Sequence, residues 1–210
     1  MSPARDIIRI ACAMDVRGFA PSKSGNVSAR TNEGFLVTPT GMAYALLKPA
    51  DLVHLDLDGN VIKGKHRPSS EWRFHASIYR ARPEANAIVH NHSPRATALS
   101  CARKGIPAFH YMIAMAGGDD IRCAAYATFG TQELADQAVL ALKDRKACLL
   151  ANHGVIAMGA TLDAAWALAQ EVENLAGEYL DLLASGLKPV LLGKAEMARV
   201  SAKFADYGRK

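Results

Sequence analysis

Apolar residues Ile7, Ile10, Ala11 and Met14 recur at intervals of three and four, the spacing of one helix face. Ser2 followed by Pro3 supplies an N-cap and a proline at the first helical position, where a missing N–H costs nothing. Gly18 and Pro21 close that helix, and residues 22–30, small and polar around Ser24-Gly25-Asn26, read as a loop. Phe35 to Thr38 then reads as a strand stopped by Pro39-Thr40-Gly41. Val53, Leu55 and Leu57 alternate as a second strand, and Asp58-Gly59-Asn60 turns tightly into Val61-Ile62.

Beyond residue 70 the pattern switches between helix and strand. Ser70 is a candidate N-cap for a helix with Phe74, Ile78 and Ala81 on one face, ended by Pro83. Ala87 to His90 is a short strand, and Ser93-Pro94 opens another helix. Thr131 caps a helix whose Leu134, Ala138, Ala141 and Leu142 face inward. Ala147 to Ala151 and Val155 to Met158 are apolar strands separated by the polar break Asn152-His153-Gly154. Thr161 starts a long helix reaching about Ser185-Gly186, and residues 194–206 form a last one. The pattern predicts one α/β domain over 1–210, with a sheet that is hairpin-rich in its N-terminal half and helices packed on it, followed from about 194 by a C-terminal helix and tail.

Composition narrows the classes. Half of the 210 residues are apolar and 21% are charged, which excludes a disordered chain. The net charge of +5 is concentrated in residues 194–210, and no run of five like charges or basic-aromatic stripe marks a nucleic-acid surface. The mild positive balance suits a small anionic substrate. Cys12, Cys101, Cys123 and Cys148 form no C-x-x-C pair and read as reduced core residues. Charged residues precede any long apolar run at the N-terminus, and no apolar stretch is long enough to span a bilayer, so a cytosolic protein without a membrane partner is expected. There is no P-loop, no G-x-G-x-x-G and no G-x-S-x-G.

The strongest chemical signal is His90-Asn91-His92 at a strand end. Strand side chains alternate, so two histidines at i and i+2 share a face and can reach one ion. The plain alternative is a pair of hydrogen-bonded surface histidines. His153, in a polar break between apolar strands, is either a turn residue bonded to backbone or a third imidazole completing a three-histidine set. His54, His66, His75 and His110 lack such pairing and read as structural or solvated. Glu71 at a helix start is either a carboxylate stabilised by the helix dipole or a general base beside a metal. Gly25-Asn26-Val27-Ser28, Thr40-Gly41 and Ser69-Ser70 could together offer neutral donors to a phosphate.

In their order along the chain, Gly25-Asn26-Val27-Ser28-Ala29-Arg30, Val37-Thr38-Pro39-Thr40-Gly41, Ser69-Ser70-Glu71-Trp72-Arg73-Phe74-His75, His90-Asn91-His92 and Asn152-His153-Gly154 resemble the class II aldolase/adducin family. The resemblance covers nearly the whole chain. It implies a three-layer αβα domain around a mainly antiparallel sheet, one Zn2+ per chain, and a homotetramer with active sites between subunits. It implies His90, His92 and His153 as metal ligands, with Glu71 approaching the same ion and serving as acid/base. Gly25, Asn26, Thr40, Gly41, Ser69 and Ser70 would hold phosphate, and Phe129 would line the aldehyde end. Tyr111 and Tyr207 would act from a neighbouring subunit. The implied reaction is reversible cleavage of a ketose 1-phosphate to dihydroxyacetone phosphate and an aldehyde. L-fuculose 1-phosphate is the first expected substrate, and 5-deoxyribulose or 5-methylthioribulose 1-phosphate the alternatives. A 4-epimerase acting on L-ribulose 5-phosphate is a further alternative, although that branch carries aspartate where Glu71 stands. Pro21-Ser22-Lys23-Ser24 departs from the Gly-rich lead-in typical of fuculose-phosphate-cleaving members, and Ala151-Asn152 from the bulkier pair expected before the ligand histidine.

Overall fold

The computed structural model describes residues 2–206. Its centre is a nine-stranded sheet built from β1 (Gly25–Arg30), β2 (Phe35–Val37), β3 (Val53–Leu55), β4 (Val61–Lys63), β5 (Ala87–Asn91), β6 (Ile106–Pro107), β7 (Asp120–Ala124), β8 (Ala147–Leu150) and β9 (Gly154–Gly159). The spatial order is β4-β3-β2-β1-β5-β9-β8-β7-β6. β1 to β4 pair in sequence as antiparallel neighbours, the hairpin-rich half expected. The sheet is mixed, because β7 and β8 run parallel. A parallel pair needs a crossover, and α4 (Gln132–Ala141) supplies it between them.

Helices cover both faces. α1 (Pro3–Val16), α3 (Pro94–Cys101), α5 (Leu162–Ala184) and, through Met197, α6 (Lys194–Asp206) pack on one side. α2 (Trp72–Ala81) and α4 pack on the other. The central strands divide their residues by parity: Ala87 and Val89 of β5 join the first core, Ile88 the second. With both faces buried, β5, β8 and β9 read as continuous apolar runs. Each fully buried Val, Ile or Leu contributes about 1.5–3 kcal/mol. Thr131 and Thr161 cap α4 and α5 through hydroxyls that accept the Leu134 and Ala164 N–H groups.

Four expectations are corrected. Residues 25–30 are a strand between β2 and β5, not part of a loop, because the polar groups of Asn26 and Ser28 find buried partners that let the chain enter the sheet. Ser70 is not the cap of α2; the helix starts at Trp72, and Ser69 Oγ accepts the N–H of Glu71. Ala81 is exposed, while His75 and Tyr79 join the buried face of α2. Cys101 ends α3 at the surface and is exposed rather than core. Among the described residues no helix is long and apolar enough to cross a membrane.

Candidate active site

His90 lies opposite Asn26 of β1 and Ile156 of β9. It shares the parity of Ile88, so its side chain faces α2, where its ring meets the edge of Phe74. Its Nδ1–H donates to the Val155 carbonyl at 2.9 Å, which fixes the ring and leaves the Nε2 lone pair free. His92 follows the end of β5, anchored by its main-chain N–H to the Phe19 carbonyl at 2.7 Å. His153 sits in the β8–β9 turn after Asn152, whose φ is +54°. A Cβ on Gly154 would stand 2.4 Å from the Asn91 carbonyl oxygen and 2.8 Å from His92 Cδ2, so glycine is what lets this turn lie against His92.

The three rings therefore converge. Their centroids are 4.9–5.0 Å apart and their planes cross at 76–86°. One ligand nitrogen from each lies within 4.8 Å of the others. Two nitrogens about 2.0–2.1 Å from one tetrahedral ion stand roughly 3.3–3.4 Å apart. His90 Nε2 and His92 Nε2 are 3.2 Å apart. Burial, reinforced by His90 and His153, lowers the His92 pKa to about 3, which keeps that ring in the neutral form that ligates metals.

Glu71, at the N-terminus of α2, closes the group. Its Oε2 is 3.1 Å from His90 Nε2 and accepts the Asn26 Nδ2–H at 3.0 Å. Its Oε1 is 3.2 Å from His153 Nε2, out of line for a hydrogen bond, and is a buried oxygen without a hydrogen-bond partner. Burial alone would raise the carboxyl pKa, but His90 and His153 outweigh it and hold the group well below the usual carboxylate range. Three imidazole nitrogens and one orphaned carboxylate oxygen are a donor set suited to a divalent ion.

Glu71, His92 and His153 line a cleft of about 330 Å3, and His90 is fully buried beside them. The same cleft is lined by all six predicted phosphate ligands: Gly25, Asn26, Thr40, Gly41, Ser69 and Ser70. The backbone places them side by side. Ser69 N–H donates to Thr38 O, Thr40 N–H donates to Arg67 O, and Pro39 bridges to Pro68. Gly25 has φ +131°, and a Cβ there would press on Met14 Cε and the His90 carbonyl oxygen at 2.8 and 2.9 Å. Phe129 and Tyr126 also line the cleft and are 66% and 53% exposed.

Tyr111 is not brought to this cleft within one chain. It stacks on Phe204 beside a separate cavity against α6. Tyr207 lies outside the described residues. His54, His66 and His110 also stay out of the cleft, bonded to Thr31, Asp51 and the Met112 N–H. Two features escape the sequence reading. Lys23, noted there only as a departure in the loop, is the one Lys or Arg lining the cleft among the described residues. His75 lies fully buried beneath Asn26 with Ser28 and Tyr79. The signal for His75 lay in the motifs: alternation of Asn26 and Ser28 along a strand, and the four-residue steps from Glu71 to His75 to Tyr79 on a helix.

Residues 5–180 match the family model described as the Class II Aldolase and Adducin N-terminal domain. A Rhodospirillum rubrum protein named 5-methylthioribulose-1-phosphate/5-deoxyribulose-1-phosphate aldolase is 51% identical over 91% of this chain and 86% of its own. The L-fuculose phosphate aldolase of Escherichia coli K12 is 49% identical over 98% of this chain and 95% of its own. A solved structure titled L-fuculose 1-phosphate aldolase superposes with TM-score 0.92 at 38% identity, covering 97% of this chain and 96% of that one.

Proposed function

The chain belongs to the class II aldolase/adducin family, and from that premise we propose that it cleaves L-fuculose 1-phosphate reversibly to dihydroxyacetone phosphate and L-lactaldehyde. It is a metal-dependent class II aldolase, an aldehyde-lyase. The observation that carries the reading is the convergence of the three histidines and Glu71 beside a cleft that six neutral donors also line.

Zn2+ is the ion proposed, with His90, His92 and His153 as its protein ligands and Glu71 beside it. When bound, it supplies Lewis-acid stabilisation of the negative charge that develops on the sugar oxygens as the carbon–carbon bond breaks. The chain's own groups do the rest. Asn26, Thr40, Ser69, Ser70 and the backbone at Gly25 and Gly41 hold the phosphate and so fix the reacting carbons. Glu71 Oε1, the oxygen without a hydrogen-bond partner, removes the proton from the hydroxyl-bearing carbon of dihydroxyacetone phosphate in the synthetic direction and returns it during cleavage. Phe129 covers the apolar end of the aldehyde. Tyr111, placed away from its own chain's cleft, acts from a neighbouring copy in a homotetramer, with Tyr207: it gives a proton to the aldehyde oxygen as the carbon–carbon bond forms and takes it back from that hydroxyl during cleavage. Four cysteines without disulfide partners support a cytosolic location.

The methylthioribulose or deoxyribulose 1-phosphate reading is favoured by relatives named for those substrates, the R. rubrum protein among them, and by the largely exposed Phe129 and Tyr126 that would meet an apolar terminus. A panel of fuculose, rhamnulose, deoxyribulose and methylthioribulose 1-phosphates, assayed for triose phosphate release, decides. The highest kcat/KM is expected with L-fuculose 1-phosphate. A higher value with methylthioribulose 1-phosphate overturns that substrate, and epimerised pentulose phosphate without triose phosphate overturns the lyase reading.

A further inference from the structure

A chain of buried polar side chains joins Tyr79, Ser28 and His75, which the proposed chemistry does not use, to Asn26 and Glu71, which it does. Tyr79 Oη is 2.7 Å from Ser28 Oγ, Ser28 Oγ is 2.7 Å from His75 Nδ1, His75 Nε2 is 2.5 Å from Asn26 Oδ1, and Asn26 Nδ2 is 3.0 Å from Glu71 Oε2. Ser28 and His75 are fully buried, and Tyr79 and Asn26 nearly so. Two residues come from β1 and two from the facing helix α2, with Glu71 at that helix's start.

Only one set of proton positions fits. An ionised Glu71 can accept but not donate, so the atom of Asn26 facing it must be the NH2 group. Asn26 Oδ1 therefore faces His75 and requires a proton on Nε2. A neutral ring with that tautomer presents a lone pair at Nδ1, which takes the Ser28 hydroxyl proton. Ser28 Oγ in turn accepts from the Tyr79 phenol. Burial, followed by the neighbouring His90, lowers the His75 pKa to about 3, so the ring stays neutral across the working pH range. The opposite amide orientation would set Asn26 Oδ1 against a carboxylate oxygen in a buried site, leaving two acceptors facing each other with no proton between them.

We infer that His75 is a positioning residue: through the one-way relay Tyr79–Ser28–His75 it locks the Asn26 amide with its nitrogen toward Glu71 and the cleft. This rests on the function proposed above and deepens it. The lock makes the two oxygens of Glu71 unequal. Oε2 is tied down by Asn26, and Oε1 is left as the oxygen that moves the proton. The second N–H of the same amide stays available to the phosphate.

The test is exchange of the dihydroxyacetone phosphate hydroxymethyl proton for deuterium in D2O, followed by NMR on the metal-loaded protein. This step isolates proton transfer from bond cleavage. His75→Phe should slow exchange on the order of 10- to 100-fold, as loss of a group orienting a site residue does, while one metal per chain is retained. In an Asn26→Ala background the same substitution should change the rate less than about twofold, because His75 acts only through that amide. Equal slowing in both backgrounds overturns the relay. Should His75→Phe fold poorly, Tyr79→Phe and Ser28→Ala replace it, with a smaller slowing that must also vanish without Asn26. In the wild-type protein, 15N NMR should show His75 neutral with its proton on Nε2 from about pH 5 to 8, and the other tautomer or a charged ring contradicts the inference. No exchange in the metal-loaded wild-type protein would instead remove the proposed function and the relay's purpose together.

Discussion

Glu71→Gln keeps the size and the hydrogen bond to Asn26 but removes the base. A positioned proton-transfer group contributes typically about 10^2–10^4-fold, so kcat should fall on that scale while metal content stays at the wild-type level. Metal analysis beside turnover checks it, and near-normal turnover would return Glu71 to the role of a helix-start carboxylate. At this scale the sequence was legible wherever local geometry dictates convergence. His90 and His92 two apart on a strand had to share a face, and His153 stood alone in a polar break between apolar strands. It was silent where the partner is remote. His75 was read as structural or solvated because its meaning depends on Asn26, 49 positions away, and no local pattern encodes that contact.

The β8–β9 turn carries the third histidine, and Gly154 is the residue that seats it. Gly154→Ala would push a Cβ into the Asn91 carbonyl and the His92 ring. Overpacking of this kind costs about 1–3 kcal/mol, which for a chain of this size lowers Tm by several degrees. Because His92 and His153 move apart, metal affinity should fall with it, and thermal unfolding with and without added Zn2+ measures both. An unchanged Tm with unchanged metal binding would show that the turn seats His153 by other means. The helices were legible because caps, prolines and three-to-four spacing are local signals, as at Thr131, Ser93-Pro94 and Thr161. β1 was missed because its polar residues resemble a loop until their buried partners are known. β7 was missed because five residues containing Asp120 and Arg122 carry too little apolar periodicity, and its place is set by the parallel pairing with β8.

Over the whole molecule, the surplus of positive charge says less than where one cation sits. The charge of +5 is weighted toward residues 194–210, whereas Lys23 lines the cleft without belonging to the neutral donor set. Lys23→Met should raise KM for the sugar phosphate roughly two- to fivefold with kcat unchanged, the range expected of one exposed ion pair, and should flatten the dependence of KM on salt. The three-layer architecture was legible as a class, but the mixing of the sheet and the distance of Tyr111 from its own cleft were not, since neither follows from neighbours in sequence. What unites the cleft is the expectation that three imidazoles from two distant strand ends hold one catalytic ion. The decisive measurement is triose phosphate release after exhaustive chelation and again after one equivalent of Zn2+ per chain. Activity should fall to background and then return, and be restored to no comparable extent in His153→Ala; full activity in demonstrably metal-free protein would contradict it.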